Sequence, residues 1–261
     1  TLAAGQWLVW NYQGERTVEH FVSEEAEHFP LNMERALMGR DFPELSVERR
    51  SLRVIKNILW PVLAALRDMH RVGIVHRDIK PANLLVAADG TRPAVKLIDL
   101  GAAVDLRTGV NFNPETGLLD PKYAPPEQLV VPQEVPRAPP SLVALIASPA
   151  LWQLTSPDRF DTYSVGVMLL QMSIPQLRVN KELDRFKSQL ADAGEDLGRW
   201  RADFGHEYDY ALLDRHRGQG WDLARRLVRP RNIIQRGRWS ASEAMGHAFF
   251  WPEQLKDLVF K

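Results

Sequence analysis

The sequence predicts a mainly helical α+β fold, because it contains one long amphipathic helix and one small β-hairpin. The helix is expected over residues 48–72, where apolar side chains recur at every third or fourth position, and Gly73 then ends it. The hairpin is expected from two short apolar strands, residues 84–86 and 95–98, separated by the turn-forming pair Asp89-Gly90. Helices are therefore expected to supply most of the packing surface.

Shorter patterns along the chain predict the other elements. An apolar run at residues 7–10 predicts a buried strand, and residues 11–14 predict the turn that follows it. Pro61 lies inside the long helix and is expected to kink it or to remove one of its hydrogen bonds. Residues 128–159 contain six prolines, which predict irregular backbone with regular structure only in short pieces. Further helices are expected over residues 163–172, from about Trp221, and over residues 240–249.

The composition excludes several classes of function. The 33 basic residues equal the 33 acidic ones, so no cationic excess exists and no nucleic-acid partner is expected. The absence of cysteine excludes disulfides, thiolate catalysis and cysteine-ligated metal sites. No apolar run approaches the roughly 18 residues that a membrane helix needs. Because the chain begins at Thr1 without a signal-peptide pattern, we expect an excerpt of a longer protein, with any membrane anchor upstream.

The loop between the long helix and the hairpin carries the residues best suited to chemistry. Asp78 can accept a proton from an attacking hydroxyl, and Lys80 can balance charge on a transferring phosphoryl group. Asn83 can offer an amide oxygen to a divalent cation. The hairpin is expected to bring Asn83 beside Asp99, and Mg²⁺ prefers such oxygen ligands, with phosphate completing the shell. The spacing therefore predicts a phosphoryl-transfer site.

This loop resembles the catalytic loop of protein kinases. His76-Arg77-Asp78, with Asn83 five positions after the aspartate, matches the motif of that family. Lys80, two positions after Asp78, is typical of its serine/threonine branch. The resemblance implies a protein-kinase-like fold, with His76 and Arg77 in structural or regulatory roles and ATP and Mg²⁺ as cofactors. It assigns Asp78 and Lys80 to catalysis.

A second motif resembles the metal-binding segment of the same family. Asp99-Leu100-Gly101 follows the hairpin and is similar to the Asp-Phe-Gly motif. The resemblance implies that Asn83 and Asp99 are also catalytic and hold the metal. Leu100 replaces the usual phenylalanine, which leaves the aspartate in place but changes the packing beside it.

Three further matches occur in the order that the family requires. Tyr123-Ala124-Pro125-Pro126-Glu127 resembles the Ala-Pro-Glu motif that ends the activation segment. Asp161 begins a segment that resembles the central helix, whose aspartate holds the backbone of the catalytic loop. Arg238 resembles the arginine that pairs with the glutamate of the Ala-Pro-Glu motif, here Glu127. The resemblance gives Glu127, Asp161 and Arg238 structural roles.

The resemblance covers the C-lobe of a kinase and only a remnant of the N-lobe. No Gly-rich loop, Val-Ala-x-Lys strand or αC glutamate is present. The resemblance implies a last N-lobe strand and hinge at residues 1–14 and a C-lobe at residues 15–261. Within the C-lobe it implies an activation segment at residues 99–127 and a Pro-rich insert at residues 128–160. Asn11 and Gln13 are expected in the hinge that binds adenine, with Leu85 beneath the adenine ring.

Finer features resemble one branch, the state-transition kinases of chloroplast thylakoids. They are found in residues 118–123, in the Pro-rich insert and in residues 157–161. The resemblance implies protein substrates, either light-harvesting antenna proteins or photosystem II core subunits, and a location on the stromal side of the thylakoid membrane. Asp120 stands where most serine/threonine kinases carry a threonine, and we expect it close to Asp78 or paired with Lys80.

Two other functions remain as alternatives, and one mode of regulation is a hypothesis. A non-catalytic docking module is compatible with the missing lobe and the Pro-rich insert, which can present an extended segment to a partner. A small-molecule phosphotransferase of kinase-like fold is the third possibility, although the elements at residues 123–127 argue for a protein substrate. Arg77 is of the kind that pairs with a phosphate on an activation segment, where Thr108 and Thr116 lie.

Overall fold

The computed structural model describes residues 12–87, 94–110, 119–127, 130, 140–230 and 237–252. Several sequence predictions lie outside these residues: the strand at residues 7–10, Asn11 of the predicted hinge, the Asp89-Gly90 turn and Thr116. Among the described residues, no helix combines the length and the apolar character needed to cross a membrane.

The described residues form helices and two small antiparallel sheets, so the mainly helical α+β prediction is confirmed. The helices are α1 (Glu34–Met38), α2 (Val47–Arg71), α3 (Ser141–Thr155), α4 (Arg159–Ser173), α5 (Asn180–Asp192), α6 (Leu197–Asp203), α7 (Ala211–Leu227) and α8 (Ala241–Met245). The strands are β1 (Ile74–Val75), β2 (Leu84–Val86), β3 (Val95–Leu97) and β4 (Val104–Asp105).

Helix α4 is the centre of the fold. Every residue from Phe160 to Ser173 is buried, and α2 and α7 pack against it. Gly166 permits the approach of α7, because a Cβ atom there would lie 2.6 Å from Val228 Cγ2 and 2.7 Å from Leu227 Cβ. The sequence predicts this helix over residues 163–172, where the apolar run is strongest. In the structure the helix begins earlier, at Arg159, and therefore includes Asp161.

Helix α2 matches its prediction closely. It begins after Ser46, whose Oγ accepts a hydrogen bond from the Arg49 amide, and its apolar stripe is buried against α4 and α8. The helix continues through Pro61. It therefore delivers the chain, at Gly73, to the loop that carries the predicted chemistry.

The structure contains two small sheets where the sequence predicts one hairpin. Strands β2 and β3 pair antiparallel, with Leu84 opposite Leu97, as predicted. Strands β1 and β4 also pair, with Ile74 opposite Asp105, and this sheet was not predicted. Two residues per strand are too few to produce a period-two pattern, so only the tertiary structure reveals it. Along the chain, β1 ends just before residues 76–83 and β2 begins just after them.

The prediction of irregular backbone across residues 128–159 is wrong for its second half. Helix α3 is 15 residues long and contains Pro149. Proline removes the amide that would bond the Leu145 carbonyl, and the Ser148 hydroxyl donates to that carbonyl instead, at 3.2 Å. A neighbouring serine thus offsets the proline, a compensation that counting prolines cannot detect.

The last predicted helices are present with altered bounds. Helix α7 is interrupted at Arg215–Gly218, where Gly218 adopts φ +77°, so its second part begins close to the predicted start at Trp221. The predicted helix at residues 240–249 is split into α8 and a 3₁₀ turn, Ala248–Phe250. Ser240 and Glu243 form a capping box that begins α8.

Candidate active site

A buried carboxylate fixes the backbone of the predicted catalytic loop. The Asp161 side chain, at the start of α4, is fully buried and accepts hydrogen bonds from the His76 amide at 2.9 Å and the Arg77 amide at 2.7 Å. Its Oδ2 also lies 2.8 Å from Nε2 of His70, on the last turn of α2. Burial acts to raise the pKa of Asp161, but the hydrogen bonds and charges of His70 and His76 together hold that pKa below its ordinary value. The carboxylate therefore stays ionised and holds the loop.

The loop brings three predicted catalytic side chains together. Asp78 Oδ2 lies 2.9 Å from the Lys80 ammonium and accepts a hydrogen bond from Asn83 Nδ2 at 2.8 Å. Asn83 Nδ2 also donates to the Asp78 carbonyl at 2.8 Å. Asp120 Oδ2 lies 3.9 Å from the Lys80 ammonium, which is one of the two placements that the sequence predicts. A carboxylate oriented by an amide and a lysine in this way can accept a hydroxyl proton beside a positive charge.

The hairpin places Asp99 next to the strand position that pairs with Asn83. The Ile98 amide donates to the Asn83 carbonyl at 3.0 Å, and Asp99 follows directly. Asp99 adopts φ +65° and is exposed, and its Oδ1 accepts a hydrogen bond from the Gly101 amide at 3.0 Å. Leu100 is 60% exposed, so the described residues do not pack around it as around a core side chain.

The chemistry of Asn83 and Asp99 fits a magnesium ion. The nitrogen of the Asn83 amide is engaged by Asp78, which leaves the amide oxygen to act as a ligand. One oxygen of Asp99 accepts a backbone hydrogen bond, and the other has no hydrogen-bond partner among the described residues. The described part of the chain contains no group of three or more His, Asp or Glu residues arranged to hold a metal. An ion held by Asn83 and Asp99 would therefore take its other ligands from phosphate and water.

Two of the predicted adenine-binding residues, Gln13 and Leu85, are described, and both are associated with the hairpin. Leu85 in β2 pairs with Thr17, and the Val86 amide donates to the Arg16 carbonyl at 2.9 Å, so the chain after the predicted hinge runs beside β2. The Gln13 amide oxygen accepts a hydrogen bond from Lys96 in β3. Lys96 is also the residue that pairs with Leu85, so Gln13 and Leu85 both contact the middle of β3.

Arg77 is buried rather than exposed to solvent. It adopts φ +70°, and its Nε donates to the Ala102 carbonyl. Its Nη2 has no hydrogen-bond partner among the described residues, and burial lowers the pKa of the guanidinium. An arginine that keeps a donor unpaired inside the protein suits an incoming anion, as the hypothesis of a phosphate on the activation segment requires. Thr108, one of the two candidate threonines, is exposed.

Residues 120–127 lie beside the catalytic loop, and we call this segment the wall. Side chains that are distant in sequence hold the wall in place. Arg238 is fully buried and makes a bidentate ion pair with Glu127, Nη1 to Oε1 at 2.6 Å and Nη2 to Oε2 at 3.0 Å. Ser164 Oγ donates to the Tyr123 carbonyl at 2.9 Å, and the Tyr123 hydroxyl donates to Gln171 at 2.9 Å. The wall is therefore fastened to α4 and to the segment after α7.

The sequence reasoning missed two side chains that hold the site. No local pattern distinguishes His70 from a surface residue at a helix end. Lys187 in α5 donates to the Ala124 carbonyl at 3.0 Å. A signal for Lys187 was present, because it lies between Leu183 and Leu190 on the buried stripe of its helix, where a charge is uncommon.

The fold and the site define a protein kinase. The model of the protein kinase domain matches residues 17–250, and the chain belongs to this family. The predicted fold class and family are thereby confirmed.

Within the family, the chain is similar to two chloroplast kinases of Arabidopsis thaliana. It is 45% identical over 247 residues to serine/threonine-protein kinase STN8, chloroplastic, covering 94% of this chain and 49% of that protein. It is 40% identical over 252 residues to serine/threonine-protein kinase STN7, chloroplastic, covering 94% of this chain and 43% of that protein. The chain thus spans about half the length of these curated relatives.

A solved structure shows the same fold. The crystal structure of an Stt7 homolog from Micromonas algae, soaked with ATP, superposes with a TM-score of 0.76 at 33% identity. The match covers 93% of this chain and 66% of that one.

Proposed function

We propose that the protein carrying this chain is a serine/threonine protein kinase, which transfers the γ-phosphate of ATP to a protein hydroxyl. The observation that carries the proposal is the cluster of Asp78, Lys80 and Asn83, held by buried Asp161. Lys80 at this position, and the names of the similar Arabidopsis proteins, support serine and threonine as the acceptors.

In this proposal each side chain has a distinct task. Asp78 orients the attacking hydroxyl and accepts its proton, and Lys80 neutralises charge on the transferring group. Asn83 and Asp99 would hold Mg²⁺, which when bound would offset the charge of the phosphates. Gln13 and Leu85, with the predicted hinge residue Asn11, would bind the adenine of ATP.

The proposal extends to the substrate and the compartment. The names of the similar Arabidopsis proteins support a chloroplast location. Following the resemblance seen in the sequence, we propose that the substrates are thylakoid proteins and that the kinase acts on the stromal side. Light-harvesting antenna proteins are the first candidates, and photosystem II core subunits are the second.

A docking function is the second candidate, and one observation favours it. Helix α3 exposes an apolar face to solvent. This face consists of Leu142, Val143, Leu145, Ile146 and Leu154, which are 53–73% exposed. An apolar face of this kind can hold a partner protein. It does not explain why Asp78, Lys80, Asn83 and Asp99 stand together.

The substitution Asp78→Asn separates the two candidates. Loss of general-base help typically costs about 10²–10⁴-fold, so phosphate transfer from radiolabelled Mg-ATP to a thylakoid protein preparation should fall by that factor. Thermal unfolding should be unchanged, since asparagine keeps the shape. Asp203→Asn on the exposed end of α6 is the matched control and should retain full activity. Equal activity in the Asp78 variant and in the control would refute the kinase mechanism.

A further inference from the structure

Lys187 occupies an unusual position for a charged side chain. It lies in α5 beside the buried side chains of Leu183 and Phe186. Its ammonium contacts the wall at residues 120–127. A surface lysine would place its ammonium in water at no cost. The position therefore requires compensating contacts, which the structure provides.

The ammonium is held by three kinds of contact. It donates to the Ala124 carbonyl at 3.0 Å and to the Tyr163 hydroxyl at 2.7 Å, and it lies 4.4 Å from the centre of the Tyr163 ring. The Tyr163 hydroxyl in turn donates to Glu195 Oε2 at 2.9 Å. Glu195 adopts φ +58°, a left-handed conformation that few non-glycine residues take. Lys187 is thus the first member of a hydrogen-bonded chain from the wall to α4 and the loop after α5.

The Ala124 carbonyl belongs to a turn that reaches the catalytic group. The Ala124 amide donates to the Asp120 carbonyl at 2.9 Å. The Asp120 carboxylate lies 3.9 Å from the Lys80 ammonium, which lies 2.9 Å from Asp78. Displacement of Ala124 would therefore move both the surface that faces an incoming polypeptide and the carboxylate beside Lys80.

We propose that Lys187 is a positioning residue for the protein substrate, because its charged ammonium fixes the turn from Asp120 to Ala124 against α4. This inference rests on the proposed phosphoryl transfer. It assigns to Lys187 a role in binding the polypeptide and in placing its hydroxyl, with no role in binding ATP.

The charge on Lys187 responds to pH near neutrality. Burial lowers the pKa of its ammonium to about 8, although Glu195 and Glu127 attract the charge, and Arg238 repels it. Burial and the Glu195 charge raise the pKa of Tyr163, so this hydroxyl remains a donor to Glu195. The charged groups that act on the ammonium are therefore Glu195 in the loop after α5, Glu127 in the wall and Arg238 after α7. Above about pH 8 the amine is neutral, and its hydrogen bond to the Ala124 carbonyl is no longer charge-assisted.

The test compares two variants with a control on the same helix. Lys187→Met keeps the length of the side chain and removes its charge, Lys187→Arg keeps the charge, and exposed Lys181→Met is the control. The protein carrying this chain is assayed with Mg-ATP and a serine/threonine peptide chosen from a positional-scanning library. We expect Lys187→Met to raise the KM for the peptide about tenfold, which is about 1.4 kcal/mol, with the KM for ATP unchanged. Lys187→Arg should restore the KM to within about threefold, and thermal unfolding identifies any variant that fails to fold.

The pH profile is the readout that a purely structural role would not change. In the unsubstituted protein, kcat/KM for the peptide should fall as pH rises through about 8. This decline should be absent in Lys187→Arg, since arginine stays charged. Glu195→Gln should move the decline to lower pH, because the carboxylate stabilises the ammonium.

Each outcome decides one question. An unchanged KM for the peptide in Lys187→Met, or equal changes in the KM values for peptide and ATP, would overturn the positioning role. The same pH profile in the unsubstituted protein and in Lys187→Arg would also overturn it. If the unsubstituted protein transfers no phosphate to any library peptide, the proposed function fails, and this inference fails with it.

Discussion

The catalytic loop and the wall beside it are held in different ways. One side chain from a distant helix, that of Asp161, accepts two successive backbone amides of the loop at residues 76–83, and Arg77 and Asn83 add bonds to the nearby residues 98–102. The wall at residues 120–127 is fastened at several points by Ser164, Lys187 and Arg238, which come from three different segments. The difference indicates that the catalytic loop depends on one buried anchor, whereas the wall, which we propose as the surface for the polypeptide, depends on a distributed set of contacts.

The largest expected effect is the loss of the single anchor. Asp161→Ala removes a buried partner of His70 and leaves two loop amides without an acceptor, which together should cost about 5 kcal/mol or more in the free energy of unfolding. Urea denaturation measures the loss, with Asp203→Ala as the exposed control. Hydrogen exchange should accelerate first at residues 76–78, and a loss under about 1 kcal/mol would contradict the anchor.

The same anchor predicts a pH dependence. The pKa of Asp161 is lower in the folded protein than in the unfolded chain, where it is about 4. Ionised Asp161 therefore adds to the free energy of unfolding, and this contribution is fully present above about pH 4. That contribution is lost as pH falls through the lower, folded pKa. The stability difference between the unsubstituted protein and Asp161→Ala should therefore narrow on acidification below about pH 4, as urea denaturation at several pH values can show. A difference that widened there would contradict the sign.

A smaller effect is expected from the loss of one ion pair that holds the wall. Arg238→Met breaks the ion pair with Glu127 and should cost about 3 kcal/mol, the lower end for buried pairs because Glu127 is partly exposed to water. Hydrogen exchange should accelerate at residues 120–127 and remain unchanged at residues 76–78. Arg201→Met, which breaks an exposed pair with Asp214, is the control and should cost under about 1 kcal/mol. Faster exchange in both regions would show that the two are not separately held.

The smallest effect is expected from a single hydrogen bond of the wall. Ser164→Ala removes the donor to the Tyr123 carbonyl and should cost about 1 kcal/mol in the free energy of unfolding. Ser242→Ala, on α8, is the control and should be neutral within about 0.5 kcal/mol. A Ser164 variant as destabilised as Arg238→Met would mean that one contact, and not several, holds the wall.

The sequence predicted the parts of the molecule that local patterns encode. Helix α2 and the β2–β3 hairpin follow from periodicity and turn residues, and the contact between Asp161 and the loop follows from the resemblance to the kinase motifs. His70 and Lys187 were missed because their partners lie 91 and 63 residues away. Helix α3 was missed because Ser148 offsets its proline. Local sequence patterns therefore predicted the candidate site, whereas the long-range contacts that support it are seen only in the structure.

The most direct test of the central claim is calorimetric titration of this chain with ATP, with and without Mg²⁺, beside Asp99→Asn. The account predicts binding that needs Mg²⁺ and is lost in Asp99→Asn, because this carboxylate and Asn83 hold the metal that meets the phosphates. Asp203→Asn, the exposed control, should bind like the unsubstituted chain. Binding that is the same with and without Mg²⁺, or the same in Asp99→Asn and in the control, would contradict the account.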